Sequence, residues 1–252
     1  MMDRKTVVIH QPDFLPYLGF FHRFLYADLY VSLDHVQFVH SNRSWTHRDK
    51  IKTPQGAKWV TVSVKKAPRD TPINRIELAE TGWRDENLNL IEQNYRRSAF
   101  FGEVMPHVQL LYSLQCHLLR DFNMASIEML MDLLDVRIPC VFSSTLDPHG
   151  AKNELLVYIL RKTGATHYLS GVGARDYFDP EPFDRAGIAV EWQQFEHPVY
   201  AQCHGPFEPF LSSIDLLFNC GIERARQFLR APQGNAAAPS HPAFAPAIGE
   251  TT

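Results

Sequence analysis

Two short apolar runs in this chain end in residues suited to chemistry. Val7-Val8-Ile9 closes on His10 and Gln11, and residues 29–33 close on Asp34, with Gln37 three residues beyond. A histidine titrates near neutral pH and serves most often as general acid or base, although a ring that merely caps a loop fits the same position. Asp34 has the chemistry to accept a ring N–H hydrogen bond and orient His10, as the carboxylate of a catalytic triad does, or simply to close the turn after its strand. A basic and aromatic segment follows: Arg43, Trp45, His47, Arg48, Lys50 and Lys52. Arg48, Lys50 and Lys52 alternate, so an extended backbone sends all three to one side, where they suit a phosphate. A solvated, charged edge strand has the same pattern.

Later groups offer further candidates. Ser143 and Ser144 precede a helix, and their hydroxyls with its N-terminus suit an anion, while plain helix capping accounts for them as well. Ser170 and Gly171 end another short apolar run, with backbone N–H groups able to steady an oxyanion. His197, Cys203 and His204 lie close in sequence, but three residues fall short of a structural zinc site, and no metal is expected. Cys203 with His197 or His204 as its base would form a nucleophile pair; an incidental thiol is the alternative. There is no GxSxG, no Walker loop and no GxGxxG, and no cofactor is expected.

Positioning these groups requires strands that end in them. Pro12 and Pro16 stop the first apolar run, making it a strand with its polar pair at the C-terminal end. In open α/β sheets ligands bind outside the carboxyl ends of strands. Residues 17, 20, 21, 24 and 25 are aromatic or aliphatic at helical spacing, with Gly19 open to close approach or close packing. Residues 59–64 alternate as a strand after the Pro54-Gln55-Gly56 turn, and residues 73–78 read as one more short strand. Helices are expected over 83–95, 105–119 and 125–134. Strands over 137–142 and 167–170, with a helix over 154–163 between them, form a βαβ-like unit and imply parallel pairing. A strand over 188–194 and helices over 211–219 and 223–229 about Gly221 complete the pattern. The expected fold is α/β, a mixed, largely parallel sheet with helices on both faces. It is read as a single domain over 1–230 with a helical block at about 83–135, and a Pro/Ala/Gly-rich disordered tail over 231–252.

The 252 residues, 45% of them hydrophobic, suffice for one sizeable core, and a net charge of -3 offers no global attraction to nucleic acid. Four scattered cysteines without CxxC spacing point to reduced thiols. No stretch approaches the roughly 20 apolar residues of a membrane span, and the N-terminus runs straight into the first strand without a leader pattern, so a cytoplasmic location is expected.

The segments IHQPDFLPYLGFF, VSLDHVQFVHSNRSWTHRDKIKT, FSSTL, GATHYLSGVGARDYFD and HPVYAQCHGPFEPFLSSIDLLFNCG, in this order across residues 6–221, resemble the WbqC-like protein family. Its members typically belong to surface-polysaccharide biosynthesis, O-antigen included, and some are suggested to transfer glycine or a similar acyl group to an amino sugar. The resemblance places His10, Gln11, Pro12, Asp34, Gln37, Arg48, Lys52, Ser170, Gly171, His197, Tyr200, Gln202 and Asp215 on motif positions. This chain has His47-Arg48-Asp49 where the family pattern carries Asn-Arg-Asn, which opens the prospect of a different donor or acceptor. The implied function is acyl- or aminoacyl transfer to an amine of a sugar or other small metabolite, for a polysaccharide or a specialised metabolite. The implied partners are a small-molecule or nucleotide-sugar substrate and an acyl or peptidyl carrier protein. A nucleotidyl-type transferase, or a non-catalytic module holding a nucleotide sugar or carrier protein, are the alternatives.

Overall fold

Residues Val7, Val8, Tyr30 and Val31 are wholly inaccessible to solvent. Strands buried on both faces are a property of parallel sheets covered by helices on either side. A computed structural model describes residues 3–40, 44–80 and 82–232. Its strands are β1 (Thr6–His10), β2 (Leu29–Ser32), β3 (Arg48–Thr53), β4 (Gly56–Thr61), β5 (Cys140–Phe142), β6 (His167–Ser170) and β7 (Ala189–Trp192). Five of them form one sheet in the order β5-β2-β1-β6-β7. Every pairing in it is parallel, with His10 level with Ser32 and Ser170 level with Trp192. Apart from isolated bridges, antiparallel pairing among the described residues is that of the separate β3–β4 ribbon, where Lys50 stands opposite Trp59.

The helices are α1 (Leu18–His22), α2 (Trp83–Tyr95), α3 (Phe101–Ser113), α4 (Leu119–Leu133), α5 (Lys152–Lys162), α6 (Glu181–Ala186) and α7 (Ser213–Arg230). Alternation along the strands sends Val8 and Tyr30 into a large core shared with α1, α2, α3, α4 and α7. Val7, Ile9 and Val31 point the other way, into a smaller core closed by α5 and α6. The expected α/β architecture with helices on both faces is therefore the one observed. Among the described residues no helix is long and apolar enough to cross a membrane.

Two local expectations differ. The break between the middle helices falls at 114–118 rather than near Asp121 and Asn123, because Leu118 is extended and bridges Glu77. Asn123 lies inside α4, fully buried, and donates to the carbonyls of Pro12 and Thr46. A polar residue that reads as a loop signal is thus a buried tie between α4 and the site loops. Residues 73–78 hold a 3-10 turn, Ile73–Arg75, and only single bridges, Val64 with Leu78 among them. The expected tail lies, from residue 233 on, outside the described residues, as does Arg43.

Gly221 separates two helical halves of α7 as anticipated, with φ 78° and ψ 166°. A Cβ there would lie 2.6 Å from the Phe100 ring, and the left-handed φ disfavours any side chain. Gly221→Ala is expected to destabilise the fold by roughly 1–3 kcal/mol, seen as a lowered urea midpoint with unchanged slope.

Candidate active site at the carboxyl edge of the sheet

Chain direction is the same in all five strands, so His10, Asp34, Ser143 and Ser170-Gly171 all leave the sheet on one edge. From β1 the chain proceeds outward through β2 to β5, then returns to the other side of β1 for β6 and β7. The switch point of this topology lies between β1 and β6. The crevice outside such a point is where open parallel sheets bind ligands.

His10 ends β1 there with about a quarter of its side chain exposed. Its Nδ1 lies 3.0 Å from the Gln11 carbonyl, which only accepts, so Nδ1 carries the proton and Nε2 the lone pair. Asp13 Oδ2 is 3.5 Å from the same Nδ1. Burial, followed by the nearby Arg23 charge, lowers the His10 pKa to about 3, so the ring is neutral at ordinary pH. Burial raises the Asp13 carboxyl to about 7 against the opposing pull of Arg23. The group poised near neutrality is therefore Asp13 rather than the histidine.

Asp34 does not reach His10, which corrects the expectation that it orients the ring. Fully buried, it accepts from Ser143 Oγ at 3.1 Å, Ser144 N at 2.9 Å, Ser144 Oγ at 2.8 Å and Arg120 Nη1 at 3.2 Å. Ser143 and Ser144 thus spend their hydroxyls on Asp34, in the turn-closing role the aspartate had as its alternative. The carboxyl group that stands in the orienting position is Asp13.

Lys52, Tyr200, Gln202 and Asp215 do come together, in a second buried cluster. Tyr95 Oη and Tyr200 Oη donate to Asp215 at 2.6 and 2.8 Å, and Gln202 Nε2 donates to it at 2.9 Å. Lys52 Nζ donates to Gln202 Oε1 at 2.9 Å and to the carbonyls of Gly205 and Pro206. An ammonium has three donors, so Lys52 has none left for a phosphate. This network clamps the loop before α7 onto β3.

Arg48 and Lys50 behave differently from Lys52, although the three share a face of the ribbon. The Arg48 guanidinium stacks on Trp59 at 4.1 Å, and Lys50 Nζ lies 5.0 Å from the same ring and 5.5 Å from Trp45. Gln11 accepts from Thr46 Oγ1 at 2.9 Å, which joins this segment to the end of β1. Gln37 donates to the Arg69 carbonyl and pins the 65–72 loop. Ser170, buried, donates to Tyr168 Oη at 3.4 Å. His197 sits among Phe195, Tyr200, Phe207 and Phe210, its Nδ1 3.0 Å from the Pro198 carbonyl. Phe195 and Phe210 also flank Tyr17, so an aromatic wall runs from the switch point to His197. Burial raises the Cys203 thiol, the opposite of what a nucleophile needs. Among the described residues no group of three or more His, Cys, Asp or Glu is disposed to hold a metal ion.

Four residues at the switch point escape a reading of the sequence alone. Asp13 lies between Pro12 and Phe14 in what reads as a loop; Asp49 and Arg23 are charged residues in a strand and an aromatic helix; Gln193 follows β7. All four are buried. Gln193 Nε2 donates to the Gly19 carbonyl at 2.7 Å, and the Tyr17 ring covers Gly19 so closely that a Cβ would lie 2.4 Å from it. Burial raises the Asp49 carboxyl well above its usual range, with Asp13 adding to the rise. For Arg23 the cue in the sequence is a charge among aromatic and aliphatic residues; Asp49, between Arg48 and Lys50, and the uncharged Gln193 carry no such cue.

The family model of the WbqC-like protein family matches residues 11–227. An uncharacterized protein of Mycobacterium tuberculosis, Rv1507c, is 32% identical over 234 residues, covering 90% of this chain and 98% of that protein. No solved structure matches.

Because the folded-state pKa of Asp13 exceeds that of an unfolded carboxylate, folding favours its protonated form. The stability this lends is complete below about pH 4 and is lost as pH rises through about 7. Asp13→Asn is expected to flatten that decline, leaving the variant more stable than the parent at about pH 8 by up to roughly 4 kcal/mol. Unfolding midpoints of both proteins across this range provide the check.

Proposed function

The chain belongs to the WbqC-like protein family, and from that premise and the crevice at the β1–β6 switch point we propose an acyl- or aminoacyltransferase acting on an amine. The acceptor is an amino sugar, often nucleotide-linked, or another small metabolite, and a carrier protein is the natural source of the activated acyl group. The reaction serves surface-polysaccharide or specialised-metabolite assembly in the cytoplasm. One observation carries the reading: a neutral imidazole whose tautomer leaves Nε2 as acceptor, backed on Nδ1 by a carboxyl group tuned close to neutrality.

The attacking amine gives its proton to His10 Nε2 as the new C–N bond forms. The imidazolium so produced is stabilised by ionised Asp13 across Nδ1, the arrangement by which a carboxylate supports a histidine base. Collapse of the tetrahedral intermediate expels the carrier's thiolate or alkoxide, which takes that proton from the His10 imidazolium. The Arg48, Lys50, Trp45 and Trp59 surface suits the nucleotide part of an acceptor, since cation and ring stack there already. That same surface supports a second reading, a module that holds a nucleotide sugar without catalysis.

An intact-mass assay with glycyl-loaded carrier protein and an amino-sugar nucleotide tests the proposal. A product heavier by one acyl residue is expected, with His10→Ala lowering the rate by about 10²–10⁴ while the fold persists. No product across several donors and acceptors would sink the transferase reading, and nucleotide-sugar binding unchanged in His10→Ala would then favour the binding module.

Asp13 must be ionised to support the base, so kcat/KM is expected to rise with pH through about 7. In Asp13→Asn that rise should vanish together with most of the rate. A profile flat across neutrality in the parent would remove Asp13 from the mechanism.

A further inference from the structure

Arg23 has no role in the chemistry just described, and its surroundings are unusual for a cation. It lies in the 3-10 turn Arg23–Tyr26 that continues α1, and only 4% of it is exposed. Its Nε finds no hydrogen-bond partner among the described residues, and among them no carboxylate forms an ion pair with its guanidinium. The contact it does make is with an aromatic face, Phe20, whose ring centre is 5.5 Å away. Lys52, likewise buried, is answered by three oxygens, and even the half-buried Arg120 is paired with Asp34 and Asp121.

A buried guanidinium without an anion is costly, and its planar fork of donors matches a carboxylate or phosphate. Its head lies beside Gly171, where an added Cβ would stand 3.6 Å from Nη1. Arg23 thus reaches across from α1 to the carboxyl end of β6, on the other side of the switch point from His10. Its field is felt by His10, Asp13 and Tyr17 at the β1 side and by Tyr168 on β6.

We propose that Arg23 is the seat of an oxyanionic group of the substrate, a carboxylate or a phosphate, bound at the β1–β6 switch point beside Gly171. The proposal rests on the reading of this crevice as the active site and names the chemical class that the site selects. A substrate so held has its anionic end on Arg23 and its reacting end toward His10.

Binding there is linked to protonation. The titratable groups that feel Arg23 are His10 at the end of β1, Asp13, Tyr17 and His22 from the loop after it and α1, Tyr30 from β2 and Tyr168 from β6. Of these Asp13 changes charge nearest neutrality, at about 7. Its ionised form competes with a bound anion for the same guanidinium. Anion affinity should therefore be several-fold higher at about pH 6 than at about pH 8.

Calorimetric titration of the whole protein with inorganic phosphate, and separately with acetate, tests this. Saturable binding of one of the two is expected, at least about tenfold weaker in Arg23→Gln, and the anion that binds identifies the source. Gly171→Ala, whose methyl meets Nη1 at an ordinary contact distance, should keep the fold and weaken the same binding several-fold; it decides the matter if Arg23→Gln does not fold. Neither anion binding the parent, or binding equal in parent and variants, would overturn the proposal. Transfer activity is scored apart: anion binding lost in the variants with no product from the parent supports the seat and rejects the transferase, and turnover unaffected by Arg23→Gln rejects the seat alone.

Discussion

The parallel hydrogen-bond ladder through β1 is the constraint from which the other features follow. β1 pairs with β2 on one side and β6 on the other in the same direction. Parallel neighbours need long crossovers, and those crossovers must cover both faces of strands that expose no polar side. Between β1 and β2 the crossover is α1 and its 3-10 turn; between β2 and β5 it is the ribbon and the α2–α4 block; between β5 and β6 it is α5. One direction of the strands also means one edge for their carboxyl ends, and the reversal of strand order puts the switch point between β1 and β6.

Polar burial is handled in two ways around that edge. The Asp34 and Asp215 clusters are closed systems, in which donors and acceptors satisfy one another and the loops they join are held rigid. Asp34 ties the turn after β2 to the turn after β5, and Asp215 ties α7 to α2, β3 and the loop before α7. The group at the switch point is of the other kind. Asp13, Asp49 and His10 are desolvated, so their protonation states are displaced from those they would have in water, and the buried Arg23 Nε has no hydrogen-bond partner among the described residues. Perturbed groups gathered in a crevice are the physical mark of a functional site, whereas a closed network is the mark of a scaffold.

The aromatic content gives this polar centre its low-dielectric walls. Phe20 meets His10 edge-on at 5.2 Å, and Tyr17, Phe195 and Phe210 continue the wall to His197. Gly19 is small because the Tyr17 ring lies on it, which settles the choice between ligand approach and packing in favour of packing. The same walls that exclude water account for the depressed His10 pKa and the elevated one of Asp13.

Strand identity, the parallel sheet, the two halves of α7 about Gly221 and the placement of His10 at a strand end were all decided locally, by proline stops, apolar runs and helical spacing, and are readable in the residues themselves. Segments whose state depends on a partner were not: Asn123 looks like a break until Pro12 and Thr46 supply it with carbonyls, and residues 73–78 look like a strand until no neighbour pairs with more than one of them. The site divides the same way. Which residues sit at strand ends follows from sequence, but which carboxylate faces His10 is a matter of three-dimensional distance, and Asp13, three residues on, takes the place that Asp34 has by strand logic. Lys52 and Arg48 are alike in sequence and opposite in fate, one saturated inside, the other stacked on Trp59. Arg23 is the extreme case, because a charge in an aromatic segment carries no address, and only the tertiary fold brings it beside Gly171. Hydrogen-bond geometry and desolvation act over a few ångströms of space rather than of chain, so tertiary structure alone assigns them.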